Sequence, residues 1–221
     1  MKSVVVTGGT KRLGAYIAKS LEEAGWRVLR TSHRPDPSAD IIEDLTLPGS
    51  AASLMDKAVS LLGGRMPDAL VNNAALFTLG DEDVSPLNYI APVNLTELMS
   101  VRDNAGAVVN ILDSRILYRP PSTPYEKSKA DLRDFTLHAA RKYAGRLRVN
   151  AVAPGPVLAP ESVHEPAGHT PMGRPTPECV ARAVEFLLGA QSTTGCIVPV
   201  DGGQSVLTSR DIDGGGGLFV V

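Results

Sequence analysis

Apolar residues along this chain fall into two alternating patterns. Short runs of β-branched and apolar residues are followed by longer stretches with apolar positions three and four apart. The first run, "SVVVTG" (3–8), has no polar alternation, as expected of a strand buried on both faces. Residues 12–24 then carry Leu13, Ile17, Ala18 and Leu21 at helical spacing, and Gly25 stops them. The alternation continues to the end. Strands are predicted at "WRVLRTS" (26–32), "ADIIEDL" (39–45), "DALVNNAA" (68–75), "GAVVNILDS" (106–114), "LRVNAVAPG" (147–155) and "CIVPVDGG" (196–203). Helices are predicted at 49–64, at 88–104 despite Pro92, at 125–145 and at 177–189.

Strands separated by helices of ten or more residues require crossover connections. The prediction is an α/β fold: a doubly wound parallel sheet with helices on both faces, in a single domain. That domain is expected over 1–208, with a glycine-rich tail over 209–221 that ends in the apolar "LFVV". The proline-rich stretch from Pro156 to Pro177 is too long for an ordinary connection and is expected to form a lid or wall.

Composition narrows the function without naming it. The 221 residues are 43% apolar and 21% charged, ordinary for a globular domain, and the net charge of −2 offers no general field for nucleic acid or an anionic membrane. No run is long enough to span a bilayer, so a cytoplasmic protein is expected. Cys179 and Cys196 lack metal-ligand spacing and are expected to be buried structural thiols; no metal site is expected.

Ligands of an open parallel sheet bind beyond the carboxyl ends of its strands. After the first strand, "TGGTKRLG" offers Gly8 for a tight turn and Gly14 for close packing of the helix. The turn aims backbone N–H groups and a helix N-terminus at an anion. After the second strand a carboxylate would hydrogen-bond a ribose 2′-hydroxyl; the chain instead has Ser32, His33 and Arg34, with no acid until Asp36. A cation there suits a 2′-phosphate, which points to NADP(H). In "YEKSK", Tyr125 and Lys129 stand four apart on one helix face, where the ammonium favours the phenolate and makes the phenol a usable general acid. Tyr118 has no lysine at that spacing.

Taken together, "TGGTKRLG", Asp44 in "EDLT", "VNNAA", "YEKSK", "VNAVAPGPV" and "VPVDGG" resemble the short-chain dehydrogenases/reductases, over nearly the whole chain. The resemblance implies a Rossmann-type fold with a seven-stranded parallel sheet, and hydride transfer between NAD(P)H and a carbonyl, alcohol or related group. It implies a catalytic set of Tyr125 as proton donor, Lys129 holding the nicotinamide ribose, and an asparagine relay, either Asn88 or Asn94, with Asn88 preferred. For the cofactor it implies Gly8, Lys11, Arg12, Leu13, Ser32, His33 and Arg34, Asp44 and Leu45 near the adenine, Asn73 and Ala74 closing the groove, and Pro154, Gly155 and Val157 at the carboxamide. The family's dimers or tetramers make a homo-oligomer the expectation, with a small-molecule substrate.

One position departs from the family pattern. Where a serine is usual, "NILDS" puts Asp113, twelve residues before Tyr125 and one fewer than usual, with Ser114 one residue late. Asp113, the Lys11–Arg12 pair, His33–Arg34 and Phe77 after the Asn-Asn-Ala turn resemble the pteridine reductase and dihydromonapterin reductase subgroup. There an aspartate stands in place of the serine, and the aromatic ring and the nicotinamide sandwich the pterin; a carboxyl at that place can hydrogen-bond an aminopyrimidine or take part in protonating a ring nitrogen. Phe77, Asp113 and Tyr125 are therefore the expected substrate contacts. A general carbonyl reductase with Asp113 or Ser114 in the serine's place, and a non-catalytic NADP(H)-binding protein, are the alternatives.

Overall fold

The computed structural model describes residues 1–78, 80–101, 106–158 and 170–207. Seven strands make one sheet: β1 (Ser3–Val6), β2 (Arg27–Ser32), β3 (Ile41–Ile42), β4 (Ala69–Asn72), β5 (Gly106–Ile111), β6 (Leu147–Pro154) and β7 (Ile197–Val200). Their spatial order is β3-β2-β1-β4-β5-β6-β7, and every pairing is parallel. The helices are α1 (Arg12–Glu23), α2 (Ser50–Leu61), α3 (Ala91–Met99), α4 (Arg115–Tyr118), α5 (Pro124–Lys142) and α6 (Pro177–Gly189). The chain is the single-domain, doubly wound parallel α/β fold that its pattern predicts, of the Rossmann type and with the seven strands that the resemblance implies.

The continuous apolar runs are explained by two cores, one on each face of the sheet. Alternate residues of the central strands point opposite ways. Val5, Leu70, Val108 and Val149 meet α2, α3 and α5 through Leu54, Leu95, Leu132 and Ala139. Val4, Val6, Val71 and Val109 meet α1 and α6 through Ile17, Leu21, Val184 and Leu187. All of these side chains are inaccessible to solvent or nearly so. Each fully buried Val or Leu contributes about 1.5–3 kcal/mol of transfer free energy, so the central strands have no polar face to give away.

The structure corrects several local expectations. The third strand shrinks to Ile41–Ile42 at the sheet edge, where Ile42 is exposed and Glu43 and Asp44 beyond it are half-buried. The helix expected over 88–104 starts earlier and in two parts. A π-helical turn, Pro86–Ile90, precedes α3, and α3 ends at Met99; residues 102–105 lie outside the described residues. Pro92 supplies the reason. It has no N–H and its ring crowds the carbonyl four residues back, so the turn widens and Ala91 N–H bonds Pro86 O instead. Helix α4 is unforeseen in the sequence. Cys196 is half-buried and Cys179 is exposed on α6, contrary to the expectation of two buried thiols. The tail from 209 and most of the expected lid, 159–169, fall outside the described residues.

Candidate active site

The strand order reverses between β1 and β4, and the turns that leave those two strands meet. Thr7 Oγ1 accepts from Asn73 N (2.9 Å) and Ala74 N (3.0 Å), and Asn73 Nδ2 donates to Thr7 O (2.9 Å) and Gly8 O (3.3 Å). Gly8 turns with φ +61°, and α1 closes over it so tightly that a Cβ on Gly14 would stand 2.0 Å from Gly8 O and 2.6 Å from Asn73 Nδ2. Arg12 takes φ +49°, the one positive value at a non-glycine among the described residues, at the first residue of α1.

Above these turns lies a cleft of about 680 Å³. Its volume is that of a site for a sizeable organic ligand. At one end Lys11, Arg12, Leu13, Ser32, His33, Asp44 and Leu45 line it; Gly8, Asn73 and Ala74 form the floor. At the other end stand Phe77, Asp113, Tyr125 and Lys129, facing Pro154, Gly155 and Val157. Two expected residues are not in its wall. Arg34 is exposed and outside the cleft, its backbone N–H turned to Ser32 Oγ at 3.3 Å. Asn88 lies behind the wall, fully buried. It bonds Leu76 through both backbone groups (2.8 and 2.9 Å) and Ser128 Oγ at 3.2 Å, while Asn94 is exposed. Of the residues from the proline-rich segment, Arg174 is exposed away from the cleft, and Tyr118 does not line it.

Tyr125 owes its place to the start of α5. Thr123 caps the helix by accepting from Glu126 N at 3.2 Å, and Pro124 follows where a missing N–H costs nothing. Tyr125 thus stands in the first turn, where the helix end favours a negative charge. The Lys129 ammonium is one turn on, 5.8 Å from the Tyr125 ring centre, and donates to Ile111 O at 2.8 Å. Lys129 is 2% exposed. Burial pulls its pKa down to about 8, with the nearby Asp113 carboxylate opposing the shift.

Tyr125 bonds Asp113, while the Ser114 hydroxyl bonds Gln204. The Tyr125 hydroxyl donates to Asp113 Oδ2 at 3.3 Å, whereas the buried Ser114 Oγ points to Gln204 Oε1 at 3.4 Å. Phe77 is half-buried at the cleft, not in the core, and its ring meets that of Tyr125 edge-on with centres 4.9 Å apart. Two contributors escaped the sequence reading. Gln204, in the 3₁₀ turn Gln204–Val206 after "VPVDGG", lines the substrate end. Arg115 forks Asp113, Nε to Oδ1 at 2.9 Å and Nη2 to Oδ2 at 2.8 Å, with its guanidinium carbon 5.6 Å from the Phe77 ring centre. The available signal was a cation two residues after the substituted aspartate.

A parallel sheet with a glycine turn at its topological switch, leading to a cleft lined by a tyrosine and a lysine with a buried asparagine behind its wall, defines a nucleotide-binding oxidoreductase site. The family model described as enoyl-(acyl carrier protein) reductase matches residues 9–205, and the chain belongs to the short-chain dehydrogenase/reductase family. Cis-4-hydroxycyclohexanecarboxylate dehydrogenase of Sinomonas cyclohexanicum is 32% identical, over 92% of this chain and 96% of that one. Among solved structures, FolM alternative dihydrofolate reductase 1 from Brucella canis, complexed with NADP, is 29% identical. It superposes with a TM-score of 0.80 over 93% of this chain and 94% of the other. The ligand-free aldohexose dehydrogenase of Thermoplasma acidophilum reaches 0.81 at 27% identity, over 94% and 95% of the two chains.

Proposed function

We propose that this protein is an NADP(H)-dependent reductase acting on a pteridine or a similar flat heterocycle. The observation that carries the reading is the trio at the cleft's end: Tyr125 donating to Asp113 at 3.3 Å with Phe77 against the tyrosine ring. Its likeness to the NADP-bound dihydrofolate reductase structure supports the same substrate class.

The residues present fit a nicotinamide dinucleotide. Gly8 and Gly14 form a bare backbone cradle, in which a Cβ at 14 would press on Gly8 O and Asn73 Nδ2. Lys11, Arg12 and His33 line the same end and suit the phosphates, including a 2′-phosphate beside Ser32. Lys129 would hold the nicotinamide ribose, and Gly155 with Val157 the carboxamide. When bound, the cofactor supplies the hydride.

The chain's own task is the proton. Tyr125 carries it at its hydroxyl. The Lys129 ammonium and the first turn of α5 stabilise the phenolate left when it departs, and Asp113 opposes them. Asn88 and Ser128 fix the backbone of this region: Ser128 Oγ donates to Tyr125 O at 2.7 Å. The free thiols Cys179 and Cys196 suit a reducing compartment, the cytoplasm.

One observation favours a second reading, a carbonyl reductase or alcohol dehydrogenase. Arg115 holds both oxygens of Asp113, which would leave Tyr125 alone to meet a ketone. NADPH oxidation measured against dihydropterins and a panel of ketones separates the two. Preference for a dihydropterin in kcat/KM is expected. Tyr125→Phe should lower kcat by about 10²- to 10⁴-fold while NADPH still binds. Turnover of ketones alone would overturn the pteridine reading.

A further inference from the structure

Asp113 is the residue on which the pteridine reading turns, and in this structure it has nothing left to offer. A carboxylate has about four lone-pair sites. Here Oδ1 accepts from Arg115 N (3.0 Å) and Arg115 Nε (2.9 Å), and Oδ2 from Arg115 Nη2 (2.8 Å) and the Tyr125 hydroxyl (3.3 Å). The occupant is itself informative. A guanidinium presents two parallel N–H donors from one planar N–C–N unit. The aminopyrimidine edge of a pterin presents the same pair. The guanidinium also lies over the rings that a flat substrate would use, 5.6 Å from the centre of Phe77 and 5.7 Å from that of Tyr125. Arg115 therefore reproduces both halves of the expected recognition, the forked edge and the stacked face.

A second carboxylate stands on the other side. Glu126 is 2% exposed, and its Oε1 is 3.8 Å from Arg115 Nη1. Glu126 stays in place without Arg115, because Ser122 N and Oγ both donate to Oε2 at 2.8 Å and Arg119 pairs with Oε1. A guanidinium leaving Asp113 thus remains beside a fixed anion and does not have to be buried unpaired.

We propose that Arg115 is a specificity-determining residue: it holds Asp113 as this structure shows and yields it to a substrate that brings its own pair of parallel donors, moving toward Glu126. The inference rests on the pteridine reading and goes beyond it. Substrates lacking the donor pair cannot replace what Arg115 gives up, so the exchange selects amidine-edged rings over plain ketones. Apparent affinity falls by the fraction of molecules in which Asp113 is available.

The test is titration of 2,4-diaminopteridine into the NADP⁺-loaded protein, in mildly acidic buffer so that its protonated N1 and 2-amino group form the donor pair, with 1,3-dimethyl-lumazine as a flat ring that has no such pair. Removing the internal competitor should tighten binding. Arg115→Gln is expected to bind diaminopteridine about tenfold more tightly than wild type, the gain for a competitor that holds Asp113 nine-tenths of the time. Arg115→Lys, a point charge without the fork, should fall between them, and dimethyl-lumazine should gain less. Equal or weaker binding by Arg115→Gln overturns the inference while leaving the pteridine reading intact; so does an equal gain for both rings, which makes Arg115 a mere obstruction. If no variant binds diaminopteridine while the wild type reduces ketones, both fall. Should Arg115→Gln fail to fold, Arg115→Lys decides. Tighter binding of diaminopteridine than wild type supports displacement, and equal or weaker binding overturns it.

Discussion

Lys129 carries a cost that the rest of α5 does not. Its ammonium is buried beside the Tyr125 ring, with Ile111 O accepting from it, and its pKa is drawn from the ordinary 10.5 to about 8. Between those values the unfolded chain binds a proton that the folded chain does not. Stability therefore rises with pH across that window, and the favourable difference is lost as pH falls to about 8. Denaturant midpoints of the nucleotide-free protein should show it. Lys129→Met removes the buried charge, so its advantage over wild type should shrink steadily from pH 8 to 10.5; a gap constant over that range would mean that Lys129 titrates normally. The Tyr125–Lys129 pair was readable because its spacing is a property of any helix. Arg115 was not readable, since its fork on Asp113 exists only once α4 turns the chain back after β5. Arg34 is a different case: its position after β2 suits a phosphate, and in this structure it is exposed beyond the cleft wall.

The elements that build the site do so through backbone more than side chains. The turn between β1 and α1 depends on Gly14, where any Cβ would press on Gly8 O and Asn73 Nδ2. Neither neighbour can give way, because Asn73 Nδ2 is itself bonded to Thr7 O and Gly8 O. Gly14→Ala should cost at least the 1–3 kcal/mol typical of an overpacked core and weaken NADPH binding more than tenfold, measured by melting and by cofactor fluorescence. Gly189 at the end of α6 is the control. A Cβ there meets nothing within 4 Å, so Gly189→Ala should leave both measurements nearly unchanged. A tolerant Gly14→Ala variant would show that the turn relaxes and is no cradle. At this scale the hydrophobic pattern is a good guide to strands buried on both faces, since their runs of Val and Ala have no other use. It fails at the π-helical turn before α3 and at the two-residue β3. One depends on where a proline ring meets a carbonyl, the other on how much of an edge strand finds a partner.

Across the whole molecule, the order of seven strands places every chemical group at one edge. The reversal between β1 and β4 opens the crevice, and the same crevice reaches from His33 beyond β2 to Tyr125 on α5 and Gln204 beyond β7. A ligand lying along it bridges both halves of the sheet and binds only the folded chain. Such a ligand stabilises by mass action, about 2.7 kcal/mol at a hundred times its Kd. For a domain of this size each kcal/mol raises the melting temperature by about 2–4 °C. NADP⁺ at that excess should therefore raise it by about 5–10 °C. With Lys11 and Arg12 at the adenosine end, NAD⁺ at the same concentration should give a clearly smaller rise, because those cations have no 2′-phosphate to meet. Asp44 lines that end too, but it is held by Thr46, whose N–H and hydroxyl donate to Oδ1 at 3.0 and 2.7 Å, so its carboxylate is engaged within its own loop. Equal shifts with the two nucleotides would show that the cations do not select the phosphate and that the site accepts either nucleotide.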